Sequence, residues 1–169
     1  MDASTDTHGP FLWIKPVRFE EIPARSPLHR LDACWRKYAR EDHIPSRREI
    51  DPLEIGAPTL PWIVLLDVLR SGGEIDYRYR LLGTANVGLL GIDRTGQLLS
   101  ENLEAADVVT IKEYFDNTVL TRKPVFTKAG IPHKHEFLVT VYRAFYPLAA
   151  DGVTVDMLVG AAIPADVEL

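Results

Sequence analysis

The reading of the fold turns on Trp62-Ile63-Val64-Leu65-Leu66-Asp67-Val68-Leu69, then Arg70-Ser71-Gly72-Gly73, then Glu74-Ile75-Asp76-Tyr77-Arg78-Tyr79-Arg80-Leu81-Leu82-Gly83. The first run is β-branched and aliphatic enough for a buried strand. Ser71-Gly72-Gly73 supplies a turn, and Ile75, Tyr77, Tyr79 and Leu81 then alternate with Asp76, Arg78 and Arg80 in period two. Together they predict an antiparallel hairpin. Upstream, Pro58 and Pro61 force extension, and Asp51-Pro52 is a cap followed by proline at a helix start, leading a short helical piece that ends near Gly56. Ser26-Pro27 is a second such start. After it Leu28, Leu31, Trp35 and Tyr38 recur at helical spacing, with Arg30, Arg36, Lys37 and Arg40 on the other face, until Ile44-Pro45-Ser46 breaks the pattern. Residues 1–26 mix Asp, Ser, Thr, Gly and Pro with isolated aromatics and are expected to form a loosely ordered arm.

Downstream of Gly83, Thr84 to Leu90 reads as a short helix closed by Gly91, followed by the loop Asp93-Arg94-Thr95-Gly96. From Glu104 to Leu120, Val108, Ile111, Phe115 and Val119 share one helical face, and Arg122-Lys123-Pro124 ends the run. Three strand-like runs follow: Val125 to Ile131, Glu136 to Leu148 and Val153 to Ile163. Their connections, Pro132-His133-Lys134-His135 and Ala150-Asp151-Gly152, are turns. The expected architecture is a single α+β domain over residues 27–169. It has a five-stranded antiparallel sheet, helices between strands two and three, and an amphipathic helix at its N-terminal side.

Bulk properties exclude several classes. A net charge of -5, with basic residues interrupted by Glu41 and Asp42, lacks the basic stripe of a nucleic-acid binder. No apolar run reaches the length of a bilayer span, and the first residues carry no secretory signal, so a cytoplasmic protein without membrane attachment is expected. Cys34 is the one cysteine, which removes an internal disulfide and a multi-cysteine zinc cage.

The order of elements resembles the PAS fold, and in particular a bacterial family of compact, often free-standing PAS proteins. The resemblance is carried by Arg78-Tyr79-Arg80-Leu81-Leu82-Gly83-Thr84 and by Leu90-Gly91-Ile92-Asp93-Arg94-Thr95-Gly96. Pro45-Ser46-Arg47, Ile50-Asp51-Pro52 and the closing Tyr146-Pro147-Leu148 with Asp151-Gly152 add to it, over about residues 28 to 165. It implies sensing, signal transduction and common dimerisation. Asp166-Val167-Glu168-Leu169 continues into no effector domain, so a stand-alone role is expected, with output through self-association or a separate signalling protein. The flavin-reactive cysteine motif of light-sensing relatives is missing, because Cys34 lies on the leading helix. The Glu104–Leu120 helix offers no His at the usual haem position. No cofactor is therefore expected beyond an unidentified small organic ligand.

Candidate sites follow from this frame. Tyr79, Arg80, Tyr114, Phe115, Phe126 and Tyr142 offer aromatic surface, hydroxyl handles and one forked cation, the mixture a small-molecule pocket uses, although core packing would use the same residues. Arg143 stands among Val139, Val141 and Phe145 and is expected to be a paired structural arginine in place of an anion receptor. Leu28, Leu31, Trp35 and Tyr38 either close the chain's own sheet or form a homodimer interface. His133 and His135 have a spacing that could seat a metal, but the set lacks further ligands and Lys134 sits between them, so no metal site is expected. Ser100, Glu101 and Glu104 suit a helix start, and no catalytic motif is present, so no enzyme is expected. The leading reading is a ligand-binding sensory domain. Its alternative is a ligand-free protein-protein interaction module with a filled core.

Overall fold

The Trp62–Gly83 stretch forms the hairpin expected of it, in a computed structural model that describes residues 11–102, 105–133 and 138–169. Its strands are β2 (Ile63–Ser71) and β3 (Glu74–Leu82), antiparallel, joined through Gly72 and Gly73. A β-bulge between Leu65 and Leu66 breaks the register: Leu65 faces Leu81, Leu66 faces Tyr79, and Arg80 is the extra residue. The bulge returns Leu82 to the side of the sheet occupied by Tyr77 and Tyr79.

The remaining strands are β1 (Trp13–Pro16), β4 (Val125–Ile131), β5 (Val139–Leu148) and β6 (Met157–Pro164). The sheet has six strands in the order β1-β4-β5-β6-β2-β3, every neighbouring pair antiparallel. The sixth strand, β1, lies within residues 1–26, expected as a loose arm, and gives the described part of that stretch, 11–26, regular structure. Trp13 to Pro16 add an edge to β4, with Trp13 opposite Gly130, and Phe19–Glu21 forms a turn of 3-10 helix. Four residues ending in proline carry no alternation that sequence reading could find, and the pairing is set by the open edge of β4.

Helix α1 (Leu28–Tyr38) starts where Ser26-Pro27 marks it, the Ser26 hydroxyl accepting from the Leu28 N–H at 3.4 Å. Short helix α2 (Pro52–Ile55) is capped by the Asp51 carboxylate, which accepts from the Leu53 N–H at 2.8 Å. After β3 come α3 (Thr84–Leu90), α4 (Leu99–Asn102) and α5 (Ala105–Thr121). Gly91 closes α3 at φ 76, in the left-handed region glycine adopts at no steric cost.

Each strand of the centre sends alternate residues to opposite faces. One face carries Ile63, Leu65, Tyr146, Leu148, Val159 and Ile163, and α1 covers it with Leu28, Leu31, Cys34 and Trp35, all buried. The other carries Val64, Leu66, Val68, Tyr77, Phe145 and Leu158 against Ile111, Phe115 and Val119 of α5 and Leu99 of α4. Trp35 Nε1 donates to the Pro147 carbonyl at 2.8 Å, and Asp32 accepts from the Tyr146 hydroxyl at 2.9 Å and from Arg36 Nε at 2.7 Å, so α1 is pinned by polar contacts as well as apolar ones. Of the two uses open to the stripe of the leading helix, this placement is the closing of the chain's own sheet. Leu28, Leu31 and Trp35 are spent on the chain's own sheet, and only Tyr38 of that stripe retains partial exposure.

Candidate functional site

A cavity of about 50 Å³ lies between the second face of the sheet and the helices that cross it. The sheet contributes Val64, Tyr79, Leu82, Ile131, Arg143, Phe145 and Ala162, the helices contribute Asn86, Leu90, Ile111 and Phe115, and Phe11 and Arg94 complete the wall from connecting segments.

Local sequence explains why these groups meet. In β5, period two places Val141, Arg143 and Phe145 on the cradle side. The Phe145 ring lies across β6 at Gly160, where a Cβ would collide with it. That approach leaves Phe145 in edge contact with Phe115 at 4.7 Å, and Phe115 meets Tyr77 at 5.2 Å. The Tyr77 hydroxyl donates to Asp116 at 2.6 Å, which fixes the rotation of α5 over the sheet. Asp93 accepts from the Thr95 N–H at 2.9 Å and the Thr95 hydroxyl at 2.7 Å, and the Gly96 N–H, at φ 86, donates to the Tyr79 carbonyl at 2.6 Å. This tight loop ties Arg94 beside Tyr79. The Asn86 amide donates to the Trp62 carbonyl and holds α3 at the head of β2.

The chemistry of the wall centres on Arg143. It is 6% exposed, and no carboxylate among the described residues pairs with it. Its guanidinium carbon sits 4.7 Å from the centre of the Phe11 ring and 5.1 Å from that of Phe145. Desolvation lowers its pKa from 12.5 to about 10, opposed by the nearby hydroxyls of Tyr79 and Tyr114. Burial raises the Tyr79 phenol above its ordinary range, while the charges of Arg143 and Arg94 act the other way. Tyr79 therefore sits within the field of both guanidiniums.

Of the residues singled out in the sequence, the structure brings Tyr79 and Phe115 to this cavity and leaves four outside its wall. Tyr114 lies on α5 close enough for its hydroxyl to act on Arg143 without lining the space. Arg80, the bulge residue, pairs with Asp67 at 2.8 Å beside a separate surface depression that Arg47, Arg48 and Asp156 also line. Phe126 and Tyr142 point to the α1 face, Phe126 against Phe19 and Tyr146, and Tyr142 beneath the Lys128 ammonium. Sequence reading named Arg143 but assigned it a partner, and it passed over Asn86 and Arg94. The one signal pointing to Arg94 was its place within Asp93-Arg94-Thr95-Gly96. Cys34 lies in the α1 core, and burial raises its thiol pKa. His135, Lys134, Glu136 and Glu104 lie outside the described residues. Among the described residues no cluster of three or more His, Cys, Asp or Glu side chains gathers as a metal would require, and no helix is long and apolar enough to cross a membrane.

An antiparallel sheet with one face closed by a leading helix and the other arched over by short helices, with a small mixed-lined cavity beneath the arch, defines the class of sensory and interaction domains. More particularly, the chain belongs to the PAS domain family, whose model, described as "PAS domain", matches residues 24–163. One solved structure to which it is similar is titled "Structure of an RNA-binding Light-Oxygen-Voltage Receptor". The identity is 14% and the TM-score 0.44, and the match covers 94% of this chain and 39% of that one, so the chain spans well under half of that receptor's length. No curated protein matches the chain in sequence.

Proposed function

We propose that this PAS domain is a sensory module that holds a small organic ligand between the sheet and helices α3 and α5, and passes on the bound state through self-association or a partner protein. The observation that carries the reading is the cavity, whose wall mixes Leu90, Ile111 and Phe115 with the polar groups of Tyr79, Asn86, Arg94 and Arg143, the composition of a recognition site. Its volume, far below the roughly 300–1,000 Å³ of pockets for drug-sized molecules, suits a ligand of a few heavy atoms. Output would begin where the wall is borrowed from connecting segments. Phe11 leads directly into β1, and Arg94 sits on the loop tied to the edge strand β3. With three residues of the α1 stripe covered by the chain's own sheet, self-association would use other surfaces.

A second reading, a ligand-free interaction module, draws on the same small volume and on the edge contacts of Phe115 with Tyr77 and Phe145 beside it. Ala162, directly opposite Arg143 in register, separates the two. Native mass spectrometry and thermal-shift screening of the purified chain against small organic acids, alcohols and amides should find a binder, and Ala162→Leu should abolish its binding while the circular dichroism stays native. A folded wild type that retains and binds none of them overturns the sensory reading in favour of the module.

A further inference from the structure

Building on the sensory reading, we infer that the ligand is a small carboxylate with a short apolar tail, its carboxylate held in the fork of Arg143 and its tail packed against Ile111, Phe115 and Ile131.

Three observations converge on it. The first is that Arg143 is buried without a counter-charge among the described residues. An ionised guanidinium in an apolar interior is costly, and protein interiors normally answer it with a carboxylate. Here the described residues supply two ring faces, Phe11 and Phe145, which attract the cation but accept no hydrogen bond in its plane. The planar fork matches a carboxylate with two parallel N–H···O bonds, so the missing partner has a defined shape.

The second observation is the sign of the wall. The chain carries a net charge of -5, yet the cavity is lined by Arg143 and Arg94 and, among the described residues, by no acidic side chain. No ion pair is formed by either arginine among the described residues, whereas Arg80 on the same hairpin pairs with Asp67. This cavity thus carries positive charge in a chain whose net charge is negative. The Tyr79 phenol, protonated and within the field of both guanidiniums, adds a donor on the same side.

The third observation is that the wall beyond Tyr79, Asn86, Arg94 and Arg143 is aliphatic or aromatic. Val64, Leu82, Leu90, Ile111, Phe115 and Ile131 offer nothing to a second charged group. That matches an anionic head with a hydrocarbon remainder. The 50 Å³ volume keeps that remainder short.

The test uses the whole chain, with isobutyrate and its neutral isostere isobutyramide as probes, read by calorimetric titration at fixed ionic strength. Isobutyrate is expected to bind at least about tenfold more tightly than the amide, because a hydrogen-bonded charge pair is stronger than a neutral contact. Arg143→Met should remove that preference and leave amide binding within about twofold. Its melting temperature should equal or exceed that of the wild type, which shows that the variant still folds. Arg143→Lys, a charge without the fork, should recover only part of the preference. Equal binding of acid and amide overturns the inference and leaves the sensory reading standing. Absence of binding by both, with no other binder in the wider screen, overturns both readings. A preference that survives in Arg143→Met but is lost in Arg94→Met overturns the assignment to Arg143. Competition by sodium sulfate alone overturns the carboxylate class in favour of a general anion site.

Discussion

Two buried polar residues on β5 show opposite uses of the same strand. Tyr146, fully buried, gives its hydroxyl to Asp32, and Asp32 is also held by Arg36. Arg143, three positions earlier and on the other face, has no carboxylate to meet among the described residues. Removing a partner from the first group and removing the charge from the second should therefore move stability in opposite directions. Asp32→Ala strands the Tyr146 hydroxyl in the core, and its expected cost is about 1–3 kcal/mol. Arg143→Met deletes an uncompensated cation while keeping apolar contact with Phe11 and Phe145, and its expected effect is a gain of about 1–3 kcal/mol. Urea unfolding of the two variants beside the wild type checks both signs, and a destabilised Arg143→Met would mean that ring contacts fully compensate the charge. This contrast also marks a limit of sequence reading. That Arg143 shares a face with Val141 and Phe145 follows from strand alternation, but whether a carboxylate reaches it depends on which loops cross that face.

At the scale of elements, those with strong local signals fall where the sequence puts them. Strand β4 matches its expected bounds, and α3 ends at Gly91 because that glycine takes the left-handed conformation. Helix α5 ends at Thr121, and Arg122 follows at φ 60, a break that Lys123-Pro124 announces. Strand β6 begins at Met157, four residues later than the run from Val153 suggests. The Asp151 carboxylate accepts from the Val153 and Thr154 N–H groups and folds that stretch into the turn. The bulge at Arg80 was hidden because alternation reads identically on either side of an extra residue. Edge strand β1 was hidden for the opposite reason, since its four residues have no pattern of their own. It is nonetheless placed to matter. Trp13 packs so closely over Gly130 that any side chain at that position would collide with it, and Phe11, two residues earlier, stacks on Arg143. Deleting residues 1–17 should lower the melting temperature modestly, because among the described residues it removes one short edge ladder and the packing of Phe11 and Ile14. It should also speed isobutyrate association by opening the wall at Phe11. Stopped-flow binding is the measurement, and an unchanged association rate would show that Phe11 does not control entry.

For the molecule as a whole, the buried ionisable groups set how stability changes in alkali. Tyr77, Tyr79 and Tyr146 all have phenols raised above their ordinary range, in each case chiefly by burial, with Asp116 adding to the effect on Tyr77 and Asp32 to that on Tyr146. A folded-state pKa raised above the unfolded one means that the fold keeps a proton the unfolded chain releases. The stability this represents is complete below about pH 10 and is lost as pH rises further. Arg143 works in the other sense. Its pKa is lowered from 12.5 to about 10, so between those values the unfolded chain holds the extra proton and the fold gains stability with rising pH. Each group contributes a slope of about 1.4 kcal/mol per pH unit, so Tyr77 and Tyr146 alone outweigh the single guanidinium and the net effect is loss. Wild-type protein should therefore unfold cooperatively above about pH 10, with the tyrosinate absorbance of these three residues appearing in the same step as the loss of circular dichroism. Arg143→Met, lacking the opposing contribution, should begin from a higher stability at pH 7 and lose it more steeply per pH unit, so that the two stability curves converge in alkali. Urea midpoints measured in steps from neutral to strongly alkaline pH test the convergence. Parallel curves would show that Arg143 stays protonated in the fold throughout, which would require a negative partner close to its guanidinium.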